Sequence, residues 1–148
     1  MIEMGLAVGM VLATVGAGAA AELSAAERVV VFEAAGFAQH GDAWRRCEEE
    51  TPMASSQPGS IELKDLNGDG TPEAIVTESS LFCYGGTEGL VVILTKDGAA
   101  WRKVLDEAGM HLVKDTKHGD WFDVEVGGPG LQRQPVYHWN GKIYVKSK

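Results

Sequence analysis

Basic residues are in deficit in this sequence: 13 lysines and arginines face 21 aspartates and glutamates, a net charge of −8. That balance argues against a nucleic-acid binder or an anionic-membrane binder, because each needs a basic face to neutralise phosphate. Cysteine is scarce as well. Only Cys47 and Cys83 are present, and neither has a neighbouring histidine, whereas a zinc site would need more Cys or His at short spacing. No Gly-x-Ser-x-Gly elbow occurs, which leaves a serine hydrolase without a foothold. Gly127-Gly128-Pro129-Gly130 lacks the Lys-Ser/Thr of a phosphate loop and reads as a turn. The glycines follow no Gly-X-Y period, so a collagen-like chain is excluded.

What is present describes one ordinary globular domain. The chain has 148 residues, 45% apolar and 23% charged. Its 19 glycines are roughly twice the usual share, which favours a turn-rich fold.

Residues 4–21 carry no charge and end in Ala19-Ala20-Ala21, a small-x-small pattern followed by Glu22. This is the shape of a secretory signal peptide over residues 1–21, with the mature domain covering 22–148. The short leading segment carries Glu3 and no basic residue, and a retained membrane anchor is the alternative. After cleavage no membrane association is expected, and the protein would be periplasmic or secreted. In an oxidising compartment Cys47 and Cys83 read as one disulfide. Closing a loop of about 37 residues would stabilise the domain by roughly 4 kcal/mol in the chain-entropy treatment.

Along the mature chain, Ser24-Ala25-Ala26-Glu27 has the form of a capping box and opens a helix expected over 25–35, ended by Gly36. Short strands and turns follow. Segments 37–39 and 43–47 flank a tight turn, residues 48–58 read as a loop, and 61–63 and 74–77 alternate as strands. Residues 90–95 are apolar without alternation, the mark of a central strand buried on both faces. Asp97-Gly98 and Asn140-Gly141 are hairpin turns, the second between 136–139 and 142–145. Segment 121–126 alternates, which would put Asp123 and Glu125 on an exposed acidic face. The stretch 70–76 is echoed at 119–126, each followed by a hairpin, a period that suggests two degenerate blade-like repeats. Two blades cannot close a propeller. The expected fold class is therefore α+β: an N-terminal helix packed on a mostly antiparallel, hairpin-rich sheet.

One motif carries chemistry. Asp65-Leu66-Asn67-Gly68-Asp69-Gly70-Thr71-Pro72-Glu73 places oxygen side chains at positions 1, 3, 5 and 9 with glycine at 6. Alternating short acids and amides let one curled loop turn several oxygens inward onto Ca²⁺, a hard cation that takes six to eight of them. It is not an EF-hand: position 12 is Val76, and Pro72 with Ile75-Val76-Thr77 opposes an exit helix. The motif resembles the FG-GAP type of calcium loop, and the wider pattern resembles small periplasmic proteins of Gram-negative bacteria. That wider pattern comprises the capped helix, the turn at 82–85, the glycine-rich stretch at 126–130 and the terminal hairpin. The resemblance implies Asp65, Asn67, Asp69 and Glu73 as side-chain ligands of Ca²⁺ and Thr71 as a carbonyl ligand. It implies no activity.

Other candidates are weaker. His40, His111, His118 and His138 are scattered without metal-pair spacing and read as turn or sheet-surface residues. Trp44, Trp101, Trp121 and Trp139 read as core or cross-strand fillers. With no nucleophile–base arrangement in view, the expectation is a non-catalytic calcium-binding module with a protein or cell-envelope partner. The second expectation is an inhibitor or immunity protein acting on a secreted cell-wall hydrolase.

Overall fold

A computed structural model describes residues 22–130 and 133–148; the proposed leader at residues 1–21 lies outside them. Helix α1 (Ala25–Ala34) begins on the capping box, with Ser24 Oγ accepting the Glu27 amide at 3.2 Å and Glu27 accepting the Ser24 amide at 2.9 Å. It stops at Ala35, and Gly36 takes the left-handed conformation at φ +86°. A short hairpin follows, β1 (Ala38–His40) against β2 (Ala43–Arg45).

The rest is two antiparallel four-stranded meanders. The first holds β3 (Gln57–Lys64), β4 (Glu73–Ser79), β5 (Gly89–Asp97) and β6 (Ala100–Ala108) in that order. The second holds β7 (Met110–His118), β8 (Trp121–Gly127), β9 (Val136–Trp139) and β10 (Tyr144–Lys146). Between β4 and β5 lie a one-turn helix, α2 (Leu81–Tyr84), and a 3-10 turn at Gly85–Thr87.

The first sheet is the middle layer. Val91 and Ile93 of β5 face the second sheet, where Val124, Val126, Tyr137 and Tyr144 meet them. Leu90, Val92 and Leu94 face the other way, against Val31, Phe32 and Ala35 of the helical layer. This two-sided burial is why residues 90–95 carry no polar alternation. The expectation of a single sheet covered by the helix is thus corrected: a second sheet covers the opposite face, because β4 and β5 are apolar on both sides.

The sheets meet at a corner where the Gly109 amide donates to the Gly89 carbonyl at 2.6 Å. Gly109 sits at φ +145°, and a Cβ there would lie 2.9 Å from the Gly127 nitrogen. Only glycine allows that approach. Strand β7 was not anticipated, because its residues are mostly polar and its pairing with β8 is interrupted between Val113 and Lys117. Strand β10 starts two residues later than expected. Asn140 Oδ1 accepts the amides of Lys142 and Ile143, both at 2.9 Å, which holds the turn open through Ile143.

Cys47 and Cys83 are bonded, with a Cα–Cα distance of 5.9 Å across a sequence separation of 36. Among the described residues no helix is long and apolar enough to cross a membrane.

Candidate functional site

Loop 65–73 connects β3 to β4 as a hairpin, and its conformation follows from its side chains. The two glycines at 68 and 70 take φ of +73° and +84°, which curls the chain in a way branched residues resist. Asp65 collects the loop's own amides: Gly68 donates to its Oδ1 at 2.8 Å and Gly70 to its Oδ2 at 2.9 Å. The Gly70 amide, with those of Gly68 and Asn67, holds the Asp65 carboxyl below its usual range against a modest desolvation. Asn67 and Asp69 repeat the arrangement one step on, accepting the amides of Asp69 at 3.1 Å and Thr71 at 2.8 Å.

Glu73 behaves differently. It is 1% exposed and turned under the loop, accepting the Leu66 amide at 2.7 Å and the Thr95 hydroxyl at 3.1 Å. Burial pushes its carboxyl above the ordinary range; the two hydrogen bonds oppose this, while Asp69 and Asp65 add repulsion. Three carboxylates therefore share one small region in which, among the described residues, none is ion-paired with a Lys, Arg or His. Hard oxygen donors with mutual repulsion suit a divalent cation in kind. Side chains now folded onto the loop amides would have to share their second lone pairs with it. Among the described residues no three His, Cys, Asp or Glu side chains converge on one point as a ready metal cluster.

Below the loop, Leu66 is fully buried and enters the core between the sheets. Its carbonyl accepts the Phe122 amide of β8 at 2.9 Å, and the Phe122 carbonyl accepts the Tyr144 hydroxyl at 2.7 Å.

At the other end of β4 a second constellation surrounds the disulfide. Glu78 is buried, 3% exposed, and its carboxylate accepts the amides of Arg46 and Cys47 and the Tyr84 hydroxyl, the last at 2.6 Å. Burial and this carboxylate push the Tyr84 phenol well above the ordinary tyrosine range. Ser80 caps α2 by accepting the Cys83 amide at 3.3 Å, and its hydroxyl donates to Glu49 at 3.0 Å. Desolvation opposes ionisation of Glu49, but the bonds from Ser80, Met53 and Ser56 outweigh it and hold the carboxyl low.

The result is a braced turn that projects apolar side chains outward. Phe82 is 72% exposed, with Leu81 and Met53 exposed beside it. They share a shallow surface depression with Glu48, Glu49 and Glu50. The sequence marked the turn at 82–85 but not its aromatic as a surface feature; a lone Phe beside a cysteine reads as core until its helix is seen to face outward.

Compared with protein-family models, curated proteins and solved structures, the chain matches none.

Of the other sequence candidates, Trp121 and Trp139 stack with ring centroids 3.9 Å apart, and Trp44 stacks on Phe32 at 5.0 Å, as packing elements. Asp123 is not on an exposed acidic face as expected. It is 3% exposed, because Thr116 and His118 fold over it with hydrogen bonds of 2.6 and 2.8 Å. His118 and His138, distant in sequence, come together with ring centroids 4.5 Å apart.

Proposed function

We propose that this protein is an exported, non-catalytic binding domain that presents the Phe82 turn to a protein partner in the periplasm or outside the cell. The observation that carries the reading is the bracing of an exposed aromatic. Phe82 stands 72% exposed between the helix-capping Ser80 and the disulfide-bonded Cys83. Interface hot spots are enriched in large side chains held rigidly, because little conformational entropy remains to be lost on docking. The acidic rim of Glu48, Glu49 and Glu50 favours a partner with a basic surface. An oxidising compartment agrees with the disulfide.

In the same proposal the 65–73 loop holds Ca²⁺ through Asp65, Asn67, Asp69 and the Thr71 carbonyl, with Glu73 adding charge from beneath. Its support is the donor set and the unneutralised carboxylates. The ion would act on stability, fixing the connection between β3 and β4 rather than touching the partner. We read the two meanders as diverged copies of one unit, since the echoed segments fall on β4 and β8, each flanked by its sheet neighbours in sequence order. The inhibitor reading uses the same turn as the element inserted into a hydrolase cleft.

Affinity capture from periplasmic extract tests the reading, comparing wild type with Phe82→Ser and with the loop variant Asp69→Ala. A partner retained by wild type and lost with Phe82→Ser is the expected result. Identical captures by wild type and Phe82→Ser would remove the proposal's basis.

A further inference from the structure

We propose that His118 and His138 form a surface site for a divalent first-row transition ion such as Zn²⁺, oriented by the buried carboxylate of Asp123. The site lies in the second sheet and does not depend on the binding reading above.

The strands build it from residues that sequence spacing keeps apart. His118 ends β7 and His138 lies on β9, with β8 between them; β8 supplies Asp123. Val124 pairs with Tyr137, so the next step along the register brings His138 beside Asp123 on the face away from the core. The two imidazole rings lie 4.5 Å apart, tilted by 30°.

Each ring has one nitrogen committed to the fold. His118 Nδ1 is 2.8 Å from Asp123 Oδ1, and a carboxylate can only accept, so Nδ1 carries the proton. In the neutral ring that leaves the lone pair on Nε2. His138 Nδ1 lies 3.0 Å from the Ser147 hydroxyl, a group that can either donate or accept; with Nδ1 donating to it, the Nε2 lone pair is the one offered to a ligand. Asp123 is itself anchored, since the Thr116 hydroxyl donates to its other oxygen at 2.6 Å.

A carboxylate bound to the far nitrogen of a histidine is the arrangement that orients imidazole and raises its basicity at metal centres. Imidazole suits Zn²⁺, Cu²⁺ and Ni²⁺, whereas Ca²⁺ and Mg²⁺ prefer oxygen. To ligate one ion at about 2.0–2.1 Å, the two near-parallel rings would turn about χ1 and χ2 until both Nε2 lone pairs converge on it, with water filling its other positions. The His118 side chain is 55% exposed, so the ion has direct access from solvent.

Titration of Zn²⁺ alone into the intact chain, in buffer with excess Ca²⁺ to keep the 65–73 loop out of competition, tests this. One saturable site is expected by calorimetry, with imidazole proton resonances of His118 and His138 shifting and those of His40 and His111 unmoved. His118→Ala and His138→Ala should each abolish the site. Asp123→Asn should weaken it by about tenfold. Because Asp123 is buried, each variant's melting curve is recorded alongside. Should Asp123→Asn not fold, Thr116→Val, which frees the carboxylate from its anchor, carries the orientation test through a weaker affinity. Absence of saturable uptake in the wild type, or unchanged uptake in the His118→Ala/His138→Ala double variant, would overturn the proposal.

Discussion

The Leu66 carbonyl accepts the Phe122 amide at 2.9 Å, so the 65–73 loop, a hairpin of the first sheet, is bonded to the start of β8 in the second. Leu66 is also the residue whose amide Glu73 holds from below. Order in the loop is thereby transmitted to the seam between the sheets.

From this follows the behaviour expected with calcium. With a Kd near 10⁻⁴ M, typical of the tighter extracellular sites, 10 mM Ca²⁺ should add about 2.7 kcal/mol of stability and raise Tm by several degrees. Asp69→Ala should abolish the increment, Asp42→Ala should keep it, and Mg²⁺ should give much less. Hydrogen exchange at the Phe122 amide should slow on adding Ca²⁺. Identical melting curves in Ca²⁺ and chelator would show the loop to be a turn and nothing more.

Alkylation of the unreduced protein followed by mass spectrometry should label neither Cys47 nor Cys83. Reduction should lower stability by roughly 4 kcal/mol. It should also loosen the Phe82 turn, readable as faster proteolysis around residues 81–87.

His111 sets a pH dependence. Burial depresses its pKa below the ordinary value; nearby Glu62 opposes the shift and Lys64 adds to it. In the unfolded chain the ring takes up its proton near pH 6.5, whereas the folded protein resists until lower pH. The neutral folded ring thus contributes stability that is whole above about pH 6.5 and is lost as pH falls through the depressed folded value. His111→Asn should flatten the fall in urea midpoint between pH 7 and 5, and an unchanged slope would exclude His111 as its source.

Gly109→Ala should be among the most damaging single-methyl additions. It combines φ +145° with a Cβ 2.9 Å from both the Gly127 nitrogen and Val126 Cγ1. Gly119→Ala, at φ +60° with open space around it, should cost only about 1 kcal/mol. Urea melts of the pair separate crowding at the corner from backbone preference alone.

The elements that sequence reveals here are those in which local pattern and tertiary environment agree. The Ser24–Glu27 cap, the apolar run of β5 and the Asn140-Gly141 turn each carry their own signal. Strand β7 carries none, since Lys114, Asp115, Thr116 and Lys117 make it read as loop until β8 pairs with it. Asp123 departs from the pattern for a related reason: alternation assigns a face, but not what folds over that face. The His118–His138 pair depends on the order of three strands, which no spacing rule encodes. The 65–73 loop was legible as an oxygen-rich turn, yet the inward placement of Glu73 depends on Thr95, contributed by a strand 22 residues away.

The ring closed by Cys47 and Cys83 contains all of β3, β4 and the 65–73 loop, and nothing from residue 84 onward. The second sheet therefore has no covalent brace. A steady pull applied from Lys148 would peel the strands from β10 back to β5 in succession and then meet resistance at the cross-linked segment. Under such a load the domain would yield in two stages, surrendering its histidine pair first and its Phe82 turn last.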